Sequence, residues 1–361
     1  MHTGQLLAKL MAAPRKKQMK KSDYLSTGSG LFNLMCSDNV NGGLLRGQFY
    51  LYVGDSDSGK TMLMLTAFAE AANNKEFDNY QLIHDDVENG ALMDFERMFG
   101  KKAAKRIRSP ARDESNNPKH STTIEDFYYN VHDAGEKGKP FIYFLDSMDA
   151  LSSEAEADKF KDSKKAHRAD KKIAGSYGDG KAKKNSQFLR RALQVVRDTN
   201  SILVVICQTR DNIGFGAMFN PKVRSGGHAL AFYACLQIWT KRKEKLKKQV
   251  RGKKRQIGIT AKVQIKRNRM TGKDRTMELP IFYSVGIDDI GSCIDYLISE
   301  GRWKGTDKSI NADDFDFRGS RDKLVQYIED ENLLTDVYDI MQEVWDEVEA
   351  GCEVKRKTRY N

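Results

Sequence analysis

The sequence predicts an α/β fold with a mainly parallel central sheet, and three features carry that expectation. Short apolar runs of strand-like composition recur at residues 49–53 (FYLYV), 80–84, 141–145 (FIYFL) and 202–206 (ILVVI). Residues 60–72 and 187–196 place apolar side chains at helical spacing, so helices alternate with strands, as in a parallel sheet covered by helices on both faces. The first apolar run also ends in a glycine turn that opens directly into the first helix, a strand, loop and helix unit.

Later segments, 235–240, 258–266 and 278–283, alternate more regularly and predict strands of an antiparallel extension. Residues 159–184 are rich in Lys, Gly, Ser and Asp with few apolar side chains and predict a mobile loop. No internal repeat is evident.

At 361 residues the chain can bury a full-sized core, as one large domain with appendages or as two domains. No apolar run is long enough to span a bilayer, and the N-terminus MHTGQLLAKLMAAPRKKQMKK places its charges after its apolar residues, the reverse of a secretory signal. The expectation is a soluble, cytoplasmic protein with no membrane partner. The five cysteines are scattered and show no CxxC spacing, which argues against a zinc site or a disulfide framework. The formal charge of +11 favours a polyanionic partner, because neutralising phosphates with Lys and Arg releases condensed counterions. Basic residues concentrate at 15–21, 159–184 and 241–255, while 313–349 is acidic; taken singly, each such run also reads as a solvated face.

Gly54-Asp55-Ser56-Asp57-Ser58-Gly59-Lys60-Thr61 fits G-x-x-x-x-G-K-[ST] and lies where a phosphate loop must lie, after a strand and opening a helix. Backbone N–H groups of the loop would wrap the phosphates of ATP, Lys60 would reach the β and γ phosphates, and Thr61 would ligate Mg2+ at the helix N-terminus, with Met62 completing the segment. Asp146 ends the strand FIYFLDS, the place for a carboxylate that holds a water of the magnesium ion. Read alone, it is a strand-end turn aspartate. His84-Asp85-Asp86-Val87-Glu88 brings three carboxylates to the end of another strand. One of them should orient or deprotonate the attacking water, and spacing does not say which.

At this point the chain resembles the RecA recombinase family of bacteria and phages, from about Leu25 to near the C-terminus. Ser26-Thr27-Gly28-Ser29 followed by Gly42-Gly43-Leu44-Leu45-Arg46-Gly47 is similar to the approach to that family's ATPase core. Asp86-Val87-Glu88 resembles its Asp-Ala-Glu, which implies that Glu88 is the catalytic carboxylate. Cys207-Gln208-Thr209-Arg210 resembles the segment in which a glutamine senses the γ phosphate, a role that falls to Gln208. Residues 214–233 look like the second DNA loop with its trailing Gly226-Gly227. There Phe219 matches the aromatic that inserts between bases, and Lys222 and Arg224 offer charge to phosphates. Residues 178–191 look like the first DNA loop. Lys183 and Arg190 match phosphate-binding positions, Lys184 and Arg191 neighbour them, and 154–174 reads as an insertion. Lys266-Arg267-Asn268-Arg269 resembles the Lys-Asn-Lys motif, which implies that Arg267 and Arg269 reach the γ phosphate of the neighbouring protomer. As residues two apart in a strand, they would otherwise form one exposed face.

The resemblance implies a RecA-like phosphate-loop ATPase core at residues 25–285, an N-terminal basic oligomerisation segment at 1–24 and a small C-terminal α/β region at 286–361. It further implies a DNA-dependent ATPase that self-associates into a helical filament on single-stranded DNA and pairs it with double-stranded DNA. A single-strand-binding protein or loader is a further expected partner. The lysine-rich insertion leans towards a phage protein acting in a host cytoplasm, and the acidic C-terminal segment is expected to compete with DNA for the basic surface. Two rivals stand beside this reading. One is a hexameric replicative helicase or RadA-like repair ATPase with the same core, against which stand the 53 residues ahead of Gly54. The other is a basic DNA-coating protein with a vestigial nucleotide site, against which stand intact Lys60, Thr61, Glu88 and Asp146.

Overall fold

The structure is a computed structural model that describes residues 20–136, 138–168, 180–211, 222–224 and 227–356. Its centre is a ten-stranded sheet. In chain order the strands are β1 (Gln48–Gly54), β2 (Gln81–Asp86), β3 (Ile107–Arg108), β4 (Phe141–Asp146), β5 (Ile202–Asp211), β6 (Lys222–Arg224), β7 (Leu236–Val250), β8 (Lys253–Asn268), β9 (Arg275–Phe282) and β10 (Gly286–Ile287). Across the sheet the order is β10-β9-β8-β7-β1-β5-β4-β2-β3, with β6 paired to β5. The run from β7 to β3 is parallel throughout, whereas β6, β8, β9 and β10 pair antiparallel.

The helices are α1 (Gly30–Ser37), α2 (Lys60–Asn73), α3 (Phe95–Arg106), α4 (Ile124–Glu136), α5 (Glu154–Arg168), α6 (Gly180–Asp198), α7 (Gly227–Tyr233), α8 (Asp289–Ser299), α9 (Arg321–Asp330) and α10 (Leu334–Gly351). Successive side chains of a strand point to opposite faces, and the central strands serve two cores accordingly. Tyr50, Tyr52, Ile142, Phe144, Val204 and Ile206 join one core with α1, α2, α8 and α10. Phe49, Leu51, Tyr143, Leu145, Leu203 and Val205 join the other with α4, α6 and α7. Strands buried on both faces read as continuous apolar runs, which is why these three were visible in the sequence. Among the described residues, no helix is long and apolar enough to cross a membrane.

The structure completes one expectation and corrects another. Residues 235–240 join the two parts of the sheet: from Leu236 to Thr240, β7 runs parallel to β1 on one side and antiparallel to β8 on the other. Alternation reports a half-solvated face and says nothing of strand direction. The stretch 159–184 is not a loop where it is described. Its first part lies in α5, which buries no residue, and its last in α6. Lys, Ala and Arg are good helix formers, so low apolar content here marks a helix that stands in solvent. The acidic C-terminal segment contributes to the first core, where Leu324, Ile328, Val337, Met341 and Trp345 are buried.

Candidate functional site

Parallel neighbours β1, β5, β4 and β2 end along one edge of the sheet, so their C-terminal residues converge there. Gly54 ends β1, Asp146 ends β4, Glu88 follows β2, and Gln208 lies in β5 in register with Gly54. The phosphate loop is shaped by contacts that a longer side chain would break. A Cβ on Gly54 would lie 2.3 Å from Thr240 Oγ1 and 2.4 Å from the Thr240 carbonyl oxygen. Ser58 Oγ bonds Thr240 Oγ1 at 2.7 Å and donates to the Asp55 carbonyl. Gly59 caps α2 at φ +90° with no side-chain bond, leaving the first N–H groups of the helix to an external acceptor.

Lys60 folds over the loop, its Nζ donating to the carbonyls of Gly54 (2.9 Å) and Asp55 (2.7 Å). Burial holds its ammonium below the ordinary lysine value, against the pull of Asp146, Glu88 and Asp55. Thr61 Oγ1 donates to Asp146 Oδ2 at 2.6 Å. Burial pushes the Asp146 carboxyl up to about 6, with Glu88 and Asp86 adding to the rise while Thr61 and Lys60 oppose it. A buried carboxyl beside two others is a set of donors that a hard cation would satisfy, and a threonine at the helix start faces it. The residues present therefore fit a magnesium–nucleotide pair. The remaining residues of the segment, Asp57 and Ser56, are exposed, and Met62 is half-buried.

The three carboxylates at the end of β2 separate by their partners. Asp85 is fully buried, bonded to Ser121 and to Tyr143 OH (2.6 Å). Asp86 accepts the backbone N–H groups of Gly90 and Ala91. Glu88 alone of the three turns to the site, where its Oε1 accepts from Ser147 Oγ and from Gln208 Nε2 at 2.9 Å. Gln208 is itself held by its backbone N–H on Asp149 Oδ2 at 2.7 Å. Sequence reasoning assigned no role to Ser147, Asp149, Thr209 or Thr240, all beside the site: Ser147 and Asp149 just after β4, Thr209 within β5 and Thr240 within β7. Ser147, next to Asp146, carried the one local signal.

The loop also meets the DNA-binding candidates. Asp55 accepts from Thr209 Oγ1 and lies 3.2 Å from Lys222 Nζ, and these partners hold its carboxyl below the usual aspartate value. Gly227 opens α7 at positive φ, and Arg190 and Arg191 are exposed on α6. Lys183 and Lys184 lie in the first turns of α6 and Arg224 in β6, but their side chains, like Phe219 and Gly226 altogether, fall outside the described residues.

Arg267 and Arg269 are not brought to this site. In register, Leu236 pairs with Asn268 at the start of β7 while Thr240, four residues on, meets Gly54, about 13 Å along the strand at about 3.3 Å per residue. Arg269 lies just past β8, so strand alternation does not align the two. A shared helix does: Arg267 donates to the Ala231 carbonyl (3.0 Å) and Arg269 to that of Phe232, both in α7.

Comparison with known proteins points to one family. A family model described as the RecA N-terminal domain matches residues 119–288, a span that holds Asp146, Gln208, Arg267 and Arg269. The chain is 28% identical over 295 residues to Protein RecA of Helicobacter acinonychis (strain Sheeba), covering 78% of this chain and 71% of the relative. Protein RecA of Helicobacter pylori (strain P12) is 28% identical over 284 residues, with the same shares, and that of Enterococcus faecium 27% over 265 residues, covering 72% and 65%.

Proposed function

Because the chain belongs to the RecA-type family, we propose that it is a DNA-dependent ATPase that forms helical filaments on single-stranded DNA and promotes homologous pairing and strand exchange. The observation that carries the reading is the convergence of Lys60, Thr61, Asp146, Glu88 and Gln208 at one edge of a parallel sheet. Bound Mg2+ with ATP would neutralise the charge that develops on the transferred phosphoryl group. The loop amides and Lys60 orient the phosphates, and Thr61 and Asp146 hold the metal side. Glu88, fixed by Ser147 and Gln208, positions a water and takes its proton.

Gln208 joins Glu88 to β5, whose far end pairs with β6 and Lys222, so a change at the γ phosphate has a direct path to the second DNA loop. Lys222, Arg224, Phe219, Gly226 and Gly227, with Lys183, Lys184, Arg190 and Arg191, form the single-strand surface in this reading. Arg267 and Arg269, remote from their own site, serve the next protomer. A contact of that kind is heterologous, and repeated along a screw axis it builds an open filament. The division into residues 1–24, 25–285 and 286–361 and a host-cytoplasmic, phage setting belong to the same proposal.

Electron microscopy of the purified protein with single-stranded DNA and magnesium, with and without a slowly hydrolysed ATP analogue, tests it. Nucleotide-dependent helical filaments are expected. Closed six-membered rings would move the assignment to a helicase or RadA-like motor, and coating indifferent to nucleotide would overturn the ATPase reading.

A further inference from the structure

The turn that presents Glu88 hangs from two supports, one on either side of β2. On the β4 side, the backbone N–H groups of Val87 (2.9 Å) and Glu88 (3.2 Å) donate to the Asp146 carbonyl. Backbone donors of successive strand residues alternate in direction, so with Val87 turned to β4 the Asp86 N–H faces the β3 side. There β3 stops pairing with β2 at Ile83, short of Asp86. A side chain takes the place of the strand: His120 Nδ1 lies 3.1 Å from the Asp86 nitrogen and accepts its N–H. A ring nitrogen that accepts carries no proton, which assigns the imidazole to the tautomer protonated on Nε2.

Asp86 is the knot of this turn. Its carbonyl accepts from the Asn89 N–H at 3.2 Å and its carboxylate from Gly90 and Ala91, so a shift of its peptide plane moves the segment that carries Glu88. His120, by contrast, is fixed from behind. Ser121 donates its N–H (3.0 Å) and its Oγ to the buried Asp85 carboxylate, and accepts from Asn130 Nδ2 on α4 at 2.9 Å. Two residues on, Thr123 Oγ1 accepts the Asp126 N–H at 3.1 Å, and the Ser152 backbone bonds the Thr122 carbonyl and the Ile124 N–H. The acceptor is therefore placed by the fold and not by the turn that it supports, which is what a preorganised site requires. Nδ1 also lies 3.4 Å from Asp85 Oδ1, but Ser121 and Tyr143 already supply that carboxylate with donors. The same nitrogen cannot accept from Asp86 and donate to Asp85, and the shorter contact is the one to Asp86.

We infer that His120 is a positioning residue for ATP hydrolysis: through the Asp86 amide it fixes the turn from which Glu88 meets Ser147 and Gln208. The inference deepens the proposed function and rests on its assignment of Glu88 as the base.

The test compares two substitutions in the full chain. His120→Phe keeps a ring and removes the acceptor, whereas His120→Asn places Oδ1 the same number of bonds from Cα as Nδ1. Phosphate release is measured on saturating single-stranded DNA with magnesium, and nucleotide sites are counted with a fluorescent ATP analogue so that kcat refers to folded sites. An N–H left without an acceptor favours displaced turns by about a factor of ten, so His120→Phe should lower kcat about tenfold. KM for ATP should stay within about twofold, because the phosphate loop is untouched. His120→Asn should return kcat to within about threefold of the wild-type value. In the Glu88→Gln background, His120→Phe should change the residual turnover by less than about twofold, since a residue that positions a base has nothing to act on once the base is gone. Amide hydrogen exchange over residues 81–92 should quicken in His120→Phe and not in His120→Asn. Wild-type kcat in His120→Phe, an equal loss in both variants, or the full tenfold loss repeated on top of Glu88→Gln would each overturn the inference. If Glu88→Gln itself turns over like the wild-type protein, the assignment of the base fails, and hydrogen exchange still decides whether His120 holds the turn.

Discussion

Replacing Glu88 by glutamine isolates the hydrolytic step. The side chain is exposed, its carboxylate is held by Ser147 and Gln208, and glutamine keeps the shape and one acceptor oxygen. The fold and the phosphate contacts of Lys60 should therefore persist, and what is removed is a charge able to take a proton. A positioned general base contributes about 10²- to 10⁴-fold, or about 2.7–5.4 kcal/mol of barrier at about 1.36 kcal/mol per factor of ten. Glu88→Gln should thus lower steady-state phosphate release on saturating single-stranded DNA by at least about a hundredfold. Nucleotide affinity, read with a fluorescent ATP analogue, should stay within about threefold, since the substitution touches a group acting mainly in the transition state. Asp86→Asn provides the contrast: its carboxylate already serves the Gly90 and Ala91 amides, so the change should loosen that turn and lower activity far less. Turnover in Glu88→Gln above about a third of the wild-type rate, with binding intact, would refute the assignment.

Three further outcomes follow from the same geometry. Gly54→Ala sets a methyl group against the Thr240 carbonyl, and backbone cannot yield as a side chain can, so ATP affinity should collapse and stability in urea should fall by about 1–3 kcal/mol; unchanged nucleotide affinity would show that the loop adapts. Glu88→Gln and Arg267→Ala, each inactive alone, should recover about a quarter of wild-type turnover when mixed in equal amounts, because that share of randomly formed interfaces joins an intact Glu88 to an intact Arg267; no recovery would mean that Arg267 serves its own chain. Burial holds the His84 imidazole below its ordinary value of 6.5, with Asp86 and Asp85 pulling it up and His120 pushing it down. The unfolded chain therefore takes up that proton first, and the stability tied to neutral His84 is complete above about pH 6.5 and is lost as pH falls towards the folded value. Urea midpoints at pH 7.5 and 5.5 should converge in His84→Phe relative to the wild-type protein, and an equal drop in both would clear His84 of the effect.

How far the sequence could be read depended on what each residue must satisfy locally. The central strands β1, β4 and β5 are buried on both faces, which forces an apolar run whatever lies beside it, and Asp146 at the end of such a run is a local signal. The ribbon of β7 and β8 has no such constraint. Its register, length and isolation come from where β1 and β9 stop pairing, a tertiary fact, and in the sequence it was only a stretch of lysines. Helix α5 was misread for the opposite reason: its composition excludes a core but does not exclude a helix, and no buried face exists to give it periodicity.

The nucleotide site divides along the same line. Gly54, Gly59, Lys60 and Thr61 are constrained by one loop, and their spacing suffices to find them. The choice among Asp85, Asp86 and Glu88 is made by partners distant in the chain, Ser121 and Tyr143 for the first, and Ser147 and Gln208 for the last. Without the family resemblance no spacing rule could have made it. Arg267 and Arg269 lie one step further out, since even the folded chain does not bring them to its own phosphates. Their side chains rest on carbonyls of α7, at the end of β7 away from the loop, and in the proposed reading a second copy supplies the phosphate they reach. A residue whose partner is in another molecule leaves no trace in the contacts of one chain, and that is why mixing two inactive variants, rather than inspecting either, is the measurement that can assign it.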